Sequence, residues 1–248
     1  MKLRLLSYNI KFGGRGREDQ IAATIRSAVP DVVLLQEATD RLVVRRLAEL
    51  TGLPSWDSRV NYSTGFLTRL PVTSYDWHLP RRSRHAFLEL VIAEPSMRFF
   101  GLHLSAWFSN WNERQRRQEI EALLAAIKQH QDGLHFVAGD FNAVAPGEVL
   151  RVDRMPPWIR AMVWLSGRDI ARHTIQHMLD QNYVDAWAHL HPDDNGFTFP
   201  TWDPHVRLDY VFTPARYAET FLRAEVVTEP ASARNASDHH PLLVEFEV

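Results

Sequence analysis

The chain has 248 residues, of which 45% are hydrophobic and 23% charged, a composition typical of a soluble globular protein. Its net charge of −2 excludes a uniformly basic nucleic-acid-binding protein, although a local basic patch is compatible with it. Because there is no cysteine, a disulfide framework, a thiolate zinc site and a cysteine nucleophile are also excluded.

The first third of the chain predicts alternating strands and helices. Residues 1–8 alternate like a strand, and this apolar segment is too short for a signal peptide. The glycine-rich loop at 11–17 has neither the Walker nor the dinucleotide-binding spacing. A helix at 18–29, a strand at 31–37 and a helix at 39–50 follow, an order typical of an α/β protein.

The middle of the chain predicts antiparallel strands and then a long helix. Turn signals separate short strands at residues 63–68, 72–79, 85–92 and 97–104. The amphipathic helix at 113–130 carries Arg114 and two more arginines in its first turns. Because cations there oppose the helix dipole, a nearby anion would stabilise them, although a purely structural role for these arginines is favoured.

An apolar run at 134–138 ends at Gly139, Asp140 and Asn142, which predicts a buried strand with polar groups at its carboxyl end. Asp140 and Asn142 are alternate residues, so their side chains leave on the same side if the strand geometry persists. The carboxylate suits Mg²⁺ and the amide can donate to a phosphoryl oxygen. The alternative is an Asp/Asn turn after a strand.

The last part of the chain returns to strands after an irregular segment. Residues 147–181 are predicted to be an insertion beside the site, with a helix at its end. Strands are predicted at 198–199, 207–212, 221–227 and 242–248. Since no internal repeat or linker is evident, we expect one catalytic domain over residues 1–248.

Polar side chains lie at or beside the ends of several predicted strands: Asn9, Glu37, His103, Asp140 with Asn142, Asp209, and Asp238 with His239. Each of them alone has a structural explanation as a cap, a turn or a paired buried group. Together they are harder to explain, because an unpaired buried charge costs several kcal/mol. The pattern therefore predicts that these residues meet each other or a metal ion.

These motifs, in sequence order, resemble those of the endonuclease/exonuclease/phosphatase superfamily of metal-dependent phosphoesterases. That superfamily includes pancreatic-type deoxyribonuclease, abasic-site endonucleases, neutral sphingomyelinases and inositol-polyphosphate 5-phosphatases. The matching segments are Ser7-Tyr8-Asn9-Ile10, Leu35-Gln36-Glu37, residues 65–71, Leu102-His103-Leu104, Gly139-Asp140-Phe141-Asn142, residues 207–212 and Ser237-Asp238-His239-His240-Pro241. They cover nearly the whole chain.

The resemblance implies a role for each matching residue. Glu37 would be the main Mg²⁺ ligand, with Asn9 and Asp238 nearby. Asp140 would position the attacking water or bind a second ion, and Asn142 would hold a phosphoryl oxygen. His239 would be the general base, or an imidazolium facing the phosphate. Asp209 would orient the ring of His239, and His103 would be a second histidine that faces the phosphate.

Two departures from the family pattern bear on the substrate. Where some members have an acid two places after the first asparagine, this chain has Lys11, so a ligand is missing or a cation faces the phosphate. The segment at 105–111 lacks the tyrosine of abasic-site endonucleases and contains Trp107 instead. Its aromatic residues could stack bases, sit at a lipid interface or simply pack, and packing is favoured. Lys11, Arg114 and Trp107 are the candidate substrate contacts.

The resemblance implies a four-layer α/β sandwich in which two mixed sheets pack face to face with helices outside. It also implies a Mg²⁺- or Mn²⁺-dependent phosphoester hydrolase, most simply a phosphodiesterase acting on nucleic acid, a phospholipid or a small phosphoester. The alternatives are a phosphomonoesterase of the same fold and a non-catalytic binding module. We expect a cytoplasmic protein with no transmembrane segment and no stable protein partner.

Overall fold

The computed structural model describes residues 1–81, 83–231 and 233–248. The twelve strands of this described part form two six-stranded sheets. Their bounds are β1 Lys2–Asn9, β2 Val32–Gln36, β3 Ser55–Ser58, β4 Thr64–Thr68, β5 Val72–His78, β6 Phe87–Ile92, β7 Met97–His103, β8 His135–Asp140, β9 Tyr183–Asp185, β10 Asp209–Pro214, β11 Phe221–Val226 and β12 Leu242–Glu247. Sheet A has the order β11-β12-β1-β2-β4-β3, and sheet B has the order β5-β6-β7-β8-β10-β9.

Seven α-helices occur in the described residues, and the longer ones cover the outer faces of the sheets. Their bounds are α1 Glu18–Ala28, α2 Arg41–Thr51, α3 Asn110–Ala126, α4 Pro157–Leu165, α5 His173–Asp180, α6 Ala186–Leu190 and α7 Ala233–Ala236. Helices α1 and α2 pack on sheet A, and α3 and α5 pack on sheet B. The predicted four-layer α/β sandwich is therefore confirmed.

The alternation of side chains in each central strand explains the layers. In β1, Leu3 and Leu5 face the core between the sheets, whereas Leu6 faces the helices. Val32 and Val33 divide in the same way in β2. Since successive side chains point to opposite faces and both faces are covered, apolar residues occupy consecutive positions, as at Leu5 and Leu6 of β1 and Val32 to Leu35 of β2.

Both sheets contain one parallel pair made by a helical crossover, and this brings the carboxyl ends of those strands together. The pair β1–β2 is joined through α1, and the pair β7–β8 is joined through α3. Ligands of open α/β folds bind where such strand ends converge. The strand ends of the two sheets meet at the same edge of the sandwich, where Asn9 at the end of β1 contacts Asp140 at the end of β8.

Several predicted boundaries were wrong, each for a local reason. The helix predicted at 113–130 begins at Asn110, where Ser109 caps it, and ends at Ala126 before a 3₁₀ turn. Strand β3 and strand β9 were not predicted, because both are short and lie at a sheet edge. The strand predicted at 198–199 is a single bridge from Phe199 to Val206.

Segment 147–181 is more regular than the sequence suggested, since it forms α4 as well as α5. The apolar side chains before α5, including Ile159 and Val163, pack into a separate cluster with Val206 and Leu208. The turn between the strands predicted at 72–79 and 85–92 includes Arg82, which lies outside the described residues. No helix in the described part of the chain is both long and apolar enough to cross a bilayer.

Candidate active site

Three polar side chains lie in one row across sheet B. Asp140, the last residue of β8, is the register partner of His103 in β7 and of Asp209 in β10. The side chains of Asp140 and Asp209 are buried, and that of His103 is nearly so. Because register partners in adjacent strands point to the same face, residues far apart in sequence are fixed side by side.

Sheet A supplies Asn9 and Glu37 at the ends of its parallel pair. Asn9 is the last residue of β1 and pairs with Gln36, so that Glu37 follows immediately. The amide nitrogen of Asn9 donates to Oε1 of Glu37 at 3.2 Å and to Oδ2 of Asp140 at 3.0 Å. One buried amide therefore joins two carboxylates that come from different sheets.

A histidine–aspartate pair borders these carboxylates. Nδ1 of His239 lies 2.9 Å from Oδ2 of Asp209, and its Nε2 lies 3.7 Å from Oδ2 of Asp140. The Ser237 hydroxyl donates to the carbonyl of Asn9 at 2.6 Å and accepts from the backbone N–H of His239 at 3.3 Å. These bonds fix the loop before β12 against the end of β1.

Burial and neighbouring charges have opposite effects on the pKa values of His239 and Asp140. Burial alone would lower the pKa of His239, but the negative charges of Asp209 and Asp140 outweigh burial and raise that pKa to about 10. Burial raises the pKa of Asp140, and the positive charge of His239 partly opposes this. In the protein alone, His239 is therefore an imidazolium at neutral pH.

His103 has a different environment although it faces the same carboxylate. Its Nδ1 lies 2.5 Å from the Ser63 hydroxyl, and its Nε2 lies 3.7 Å from Oδ2 of Asp140. Burial lowers the pKa of His103, and the charge of Asp140 only partly opposes this. His103 is therefore neutral near pH 7, in contrast to His239.

Sequence reasoning missed the residues that position His103. The ring of His85 stacks against that of His103 at 6.0 Å between centroids, and Nδ1 of His85 lies 3.1 Å from Oε1 of the buried Glu119. His85 and Ser63 were included only in predicted strands, and Glu119 only in a predicted helix. No motif marks these residues, because their contacts depend on tertiary packing: Glu119 lies on α3, and Ser63 precedes β4 of the facing sheet.

Lys11, Asp238 and Asn142 lie around the same group. The ammonium of Lys11 is 3.2 Å from Oδ2 of Asp238, so the lysine at the unusual position pairs with a residue expected to bind metal. Lys11 has a left-handed φ of 52°, and its backbone N–H donates to Oδ1 of Asn9 at 2.9 Å. The amide of Asn142 donates to the Leu104 carbonyl at 3.1 Å.

The structure does not bring Arg114 into this group. Arg114 is exposed on α3, and in the described residues it forms no hydrogen bond or ion pair with the strand-end side chains. The anion that its neighbour Arg116 meets is the protein's own Glu113, at 2.9 Å. Trp107 is 56% exposed on the loop after β7, and its ring contacts that of Trp158 at 5.2 Å between centroids.

The donor set fits a hard divalent cation. Glu37 and Asp140 present carboxylate oxygens to one amide, and such oxygen ligands are those that Mg²⁺ and Mn²⁺ prefer. Asp140, Asp209 and His239 also lie within 4.8 Å of one another, in a geometry that could hold an ion. However, Asp209 and His239 are bonded to each other, which favours a cation beside Glu37 and Asp140.

The fold and the meeting of carboxylates, amides and imidazoles at its edge define a class of phosphoester hydrolases built on a four-layer sandwich. The chain belongs to the Endonuclease/Exonuclease/phosphatase family, whose model matches residues 6–239. Members of this family are hydrolases that act on phosphoester bonds. The resemblance found in the sequence is therefore confirmed.

The chain is also similar to individual proteins in sequence or in fold. The chain is 26% identical over 259 residues to a UPF0294 protein of Vibrio vulnificus (strain YJ016), and the match covers 99% of this chain and 77% of that protein. It is similar in fold, with a TM-score of 0.74 and 18% identity, to an endonuclease/exonuclease/phosphatase from Beutenbergia cavernae DSM 12333, covering 100% of this chain and 72% of that one. A 3′ phosphatase from Neisseria bound to product DNA hairpin also has a TM-score of 0.74, with 17% identity and coverage of 99% and 100%.

Proposed function

We propose that this chain is a divalent-metal-dependent phosphoester hydrolase whose substrate is a phosphodiester. The observation that carries this proposal is the amide of Asn9, which joins Glu37 to Asp140 within reach of His239. A phosphodiester resists attack because both it and hydroxide are anionic. A site for its hydrolysis needs positive charge beside the phosphate and a group that moves a proton, and both can be supplied here.

Glu37 and Asp140 are the residues proposed to hold the cation, with Asn9 between them. When bound, a divalent ion neutralises charge on the non-bridging phosphate oxygens. Asp238 is the further ligand implied by the family, but its carboxylate is paired with Lys11. We therefore propose that Glu37 is the main ligand of the cation and that Asp238 binds the cation more weakly.

His239 is proposed to move the proton, and Asp209 orients its ring. The bond from Nδ1 to Asp209 leaves Nε2 facing Asp140 and the cation site. Positive charge placed nearby lowers the pKa of a histidine. With a cation held beside Asp140, the pKa of His239 would be lower than in the protein alone, and the neutral ring would accept a proton from water.

Asn142, His103 and Lys11 are proposed to contact the phosphate. Asn142 has a left-handed φ of 50°, and the backbone N–H of this residue donates to Asp140 at 2.9 Å, so its position depends on the carboxylate beside it. His103 is neutral and can donate one N–H without adding charge. Lys11 supplies a fixed positive charge, which favours an anionic substrate.

We also propose that residues 1–248 form one catalytic domain in which 147–181 is an insertion. In support, Ile159, Val163 and Ile170 of this segment pack in a cluster beside the main core, whereas Ile175 and Met178 of α5 pack on sheet B. A phosphomonoester is the second candidate substrate, because the Neisseria protein of similar fold is described as a 3′ phosphatase.

The test is hydrolysis of bis-p-nitrophenyl phosphate and of p-nitrophenyl phosphate with Mn²⁺ or Mg²⁺. We expect faster turnover of the diester, and a loss of roughly 10²–10⁴-fold in His239→Ala and in Asp140→Asn. His189→Ala and Asp132→Asn are matched controls, since both side chains are exposed away from the site. Equal turnover in the wild type and both site variants would contradict the proposal.

A further inference from the structure

Helix α4 is apolar on two sides, although only one of them is covered by protein. Ile159 and Val163 are buried in the cluster beneath it. On the other side Trp158, Trp164 and Leu165 are 53%, 59% and 77% exposed. A surface helix normally carries charged and polar residues on its outer face. The outer face of α4 is thus suited to an apolar environment that the protein itself does not provide.

A second segment extends this apolar surface. The ring of Trp107 contacts Trp158 edge to face at 5.2 Å between centroids. The side chain of Asn110 donates to the Ser166 carbonyl at 2.7 Å, which holds the start of α3 against the end of α4 and leaves Trp111 68% exposed. We call the surface formed by Trp107, Trp111, Trp158, Trp164 and Leu165 the tryptophan face.

The loop that presents Trp107 is rigidly held rather than loose. Trp107 has a left-handed φ of 82°, a conformation that is strained for a tryptophan. The buried guanidinium of Arg116 donates to the carbonyls of Ser105 and Trp107, both at 2.9 Å. Exposure of this ring is therefore imposed by buried contacts, which is hard to reconcile with a side chain that merely failed to pack.

Positive charge borders the tryptophan face. A groove of about 520 Å³ on α4 is lined by Trp164, Pro157 and Ala161 together with Arg160 and Arg168. Within the described residues, neither arginine has an acidic side chain within ion-pairing distance, whereas nearby Arg172 is paired with Asp169. Two free guanidinium groups beside apolar side chains suit a ligand that is both anionic and apolar.

We propose that the tryptophan face docks on a membrane surface that contains anionic phospholipid, with lipid phosphates between Arg160 and Arg168. Tryptophan rings prefer the headgroup level of a bilayer, and a short helix can lie flat in that region without spanning it. Single-stranded nucleic acid is the less suitable occupant. Leu165 is the most exposed member and cannot stack on a base, and the Trp107 ring is engaged with Trp158.

Docking on lipid is separate from the hydrolysis proposed above, so its test is carried out in EDTA without substrate. The full chain is sedimented with vesicles of phosphatidylcholine alone or mixed with phosphatidylglycerol. We expect binding to the mixed vesicles, weaker binding as salt rises, and a blue shift of tryptophan emission. Leu165→Ser/Arg160→Glu should weaken binding by roughly tenfold or more, because it removes an apolar contact and reverses a charge.

The matched control is Leu42→Ser/Arg45→Glu, which changes an exposed leucine and an exposed arginine on α2 and should bind like the wild type. Trp164→Ser is a second variant with the same expected loss, in case the double variant fails to fold. The proposal is overturned by no sedimentation with mixed vesicles or by equal binding of these variants and the wild type. It is also overturned if the tryptophan face binds only single-stranded oligonucleotide or a second copy of the chain.

Discussion

Asp209 controls the charge of His239, and this can be tested without substrate or metal. Replacement of Asp209 by Asn keeps the size of the side chain but removes the negative charge 2.9 Å from Nδ1. In the wild type that charge, assisted by Asp140, overcomes burial and raises the pKa of His239 to about 10. In Asp209→Asn the ring is still buried, so we expect its pKa to fall to its ordinary value of 6.5 or below.

The size of the effect follows from the wild-type value. A rise from 6.5 to about 10 corresponds to roughly 5 kcal/mol at about 1.36 kcal/mol per pKa unit. Because the pKa is higher in the folded than in the unfolded protein, this stabilisation is complete below pH 6.5 and is lost as pH rises toward 10. The wild type should therefore exceed Asp209→Asn in unfolding free energy by several kcal/mol at pH 6, and by much less at pH 10.

Two measurements in EDTA check this expectation. The Hε1 resonance of His239 titrated by NMR gives its pKa, with exposed His189 as the internal reference. Urea unfolding from pH 6 to pH 10 gives the difference in stability between the variants. A wild-type pKa for His239 near 6.5, or the same pKa in both proteins, would show that the Asp209 carboxylate does not govern this ring.

Further substitutions test other contacts. Arg116→Met leaves Glu113 buried without its partner and should lower the unfolding free energy by about 3–5 kcal/mol. The control Arg117→Met removes only an exposed ion pair with Glu121 and should lower it by less than about 0.5 kcal/mol. Equal urea midpoints of the two variants would contradict this expectation. Gly139→Ala places a β-carbon 2.0 Å from the Leu102 carbonyl oxygen, at a residue whose φ is 152°. We expect it to lower the unfolding free energy by about 3 kcal/mol or more, as measured by thermal unfolding. The control Gly133→Ala, whose β-carbon has room, should not show this loss. Lys11→Met removes the ammonium that pairs with Asp238, so we expect Mn²⁺ to bind about tenfold more tightly, as measured by calorimetry. Lys2→Met is the control. Unchanged affinity in Lys11→Met would mean that Lys11 does not compete with the cation.

The order of the elements could be predicted from the sequence because each central strand is buried on both faces. A continuous apolar run that stops at a polar residue identifies such a strand and its end together, as for β2 and β8. Edge strands β3 and β9 lack this pattern, since only part of each is buried. Helix α4 was not predicted because its exposed face is as apolar as its buried one.

The grouping of Glu37, Asp140 and His239 could be expected from the sequence, but the contacts that orient them could not. Ser63, His85 and Glu119 lie in ordinary strand and helix patterns and reach His103 only through tertiary packing. Arg114 is exposed on α3, outside the strand-end group, and its contact with a substrate stays a prediction. Near the start of α3, the anion beside the buried Arg116 is the carboxylate of Glu113.

The position of Asn9 explains why the whole sandwich is needed to form this site. Its amide nitrogen bonds both to Glu37, in its own sheet, and to Asp140, in the facing sheet, while its carbonyl accepts from Ser237. A shift of one sheet against the other would therefore separate the two carboxylates. Because the core between the sheets fixes their spacing, packing far from the site determines whether one cation can contact both Glu37 and Asp140. The affinity for a divalent cation should thus respond to substitutions in the core between the sheets as well as to those of the proposed ligands Glu37 and Asp140.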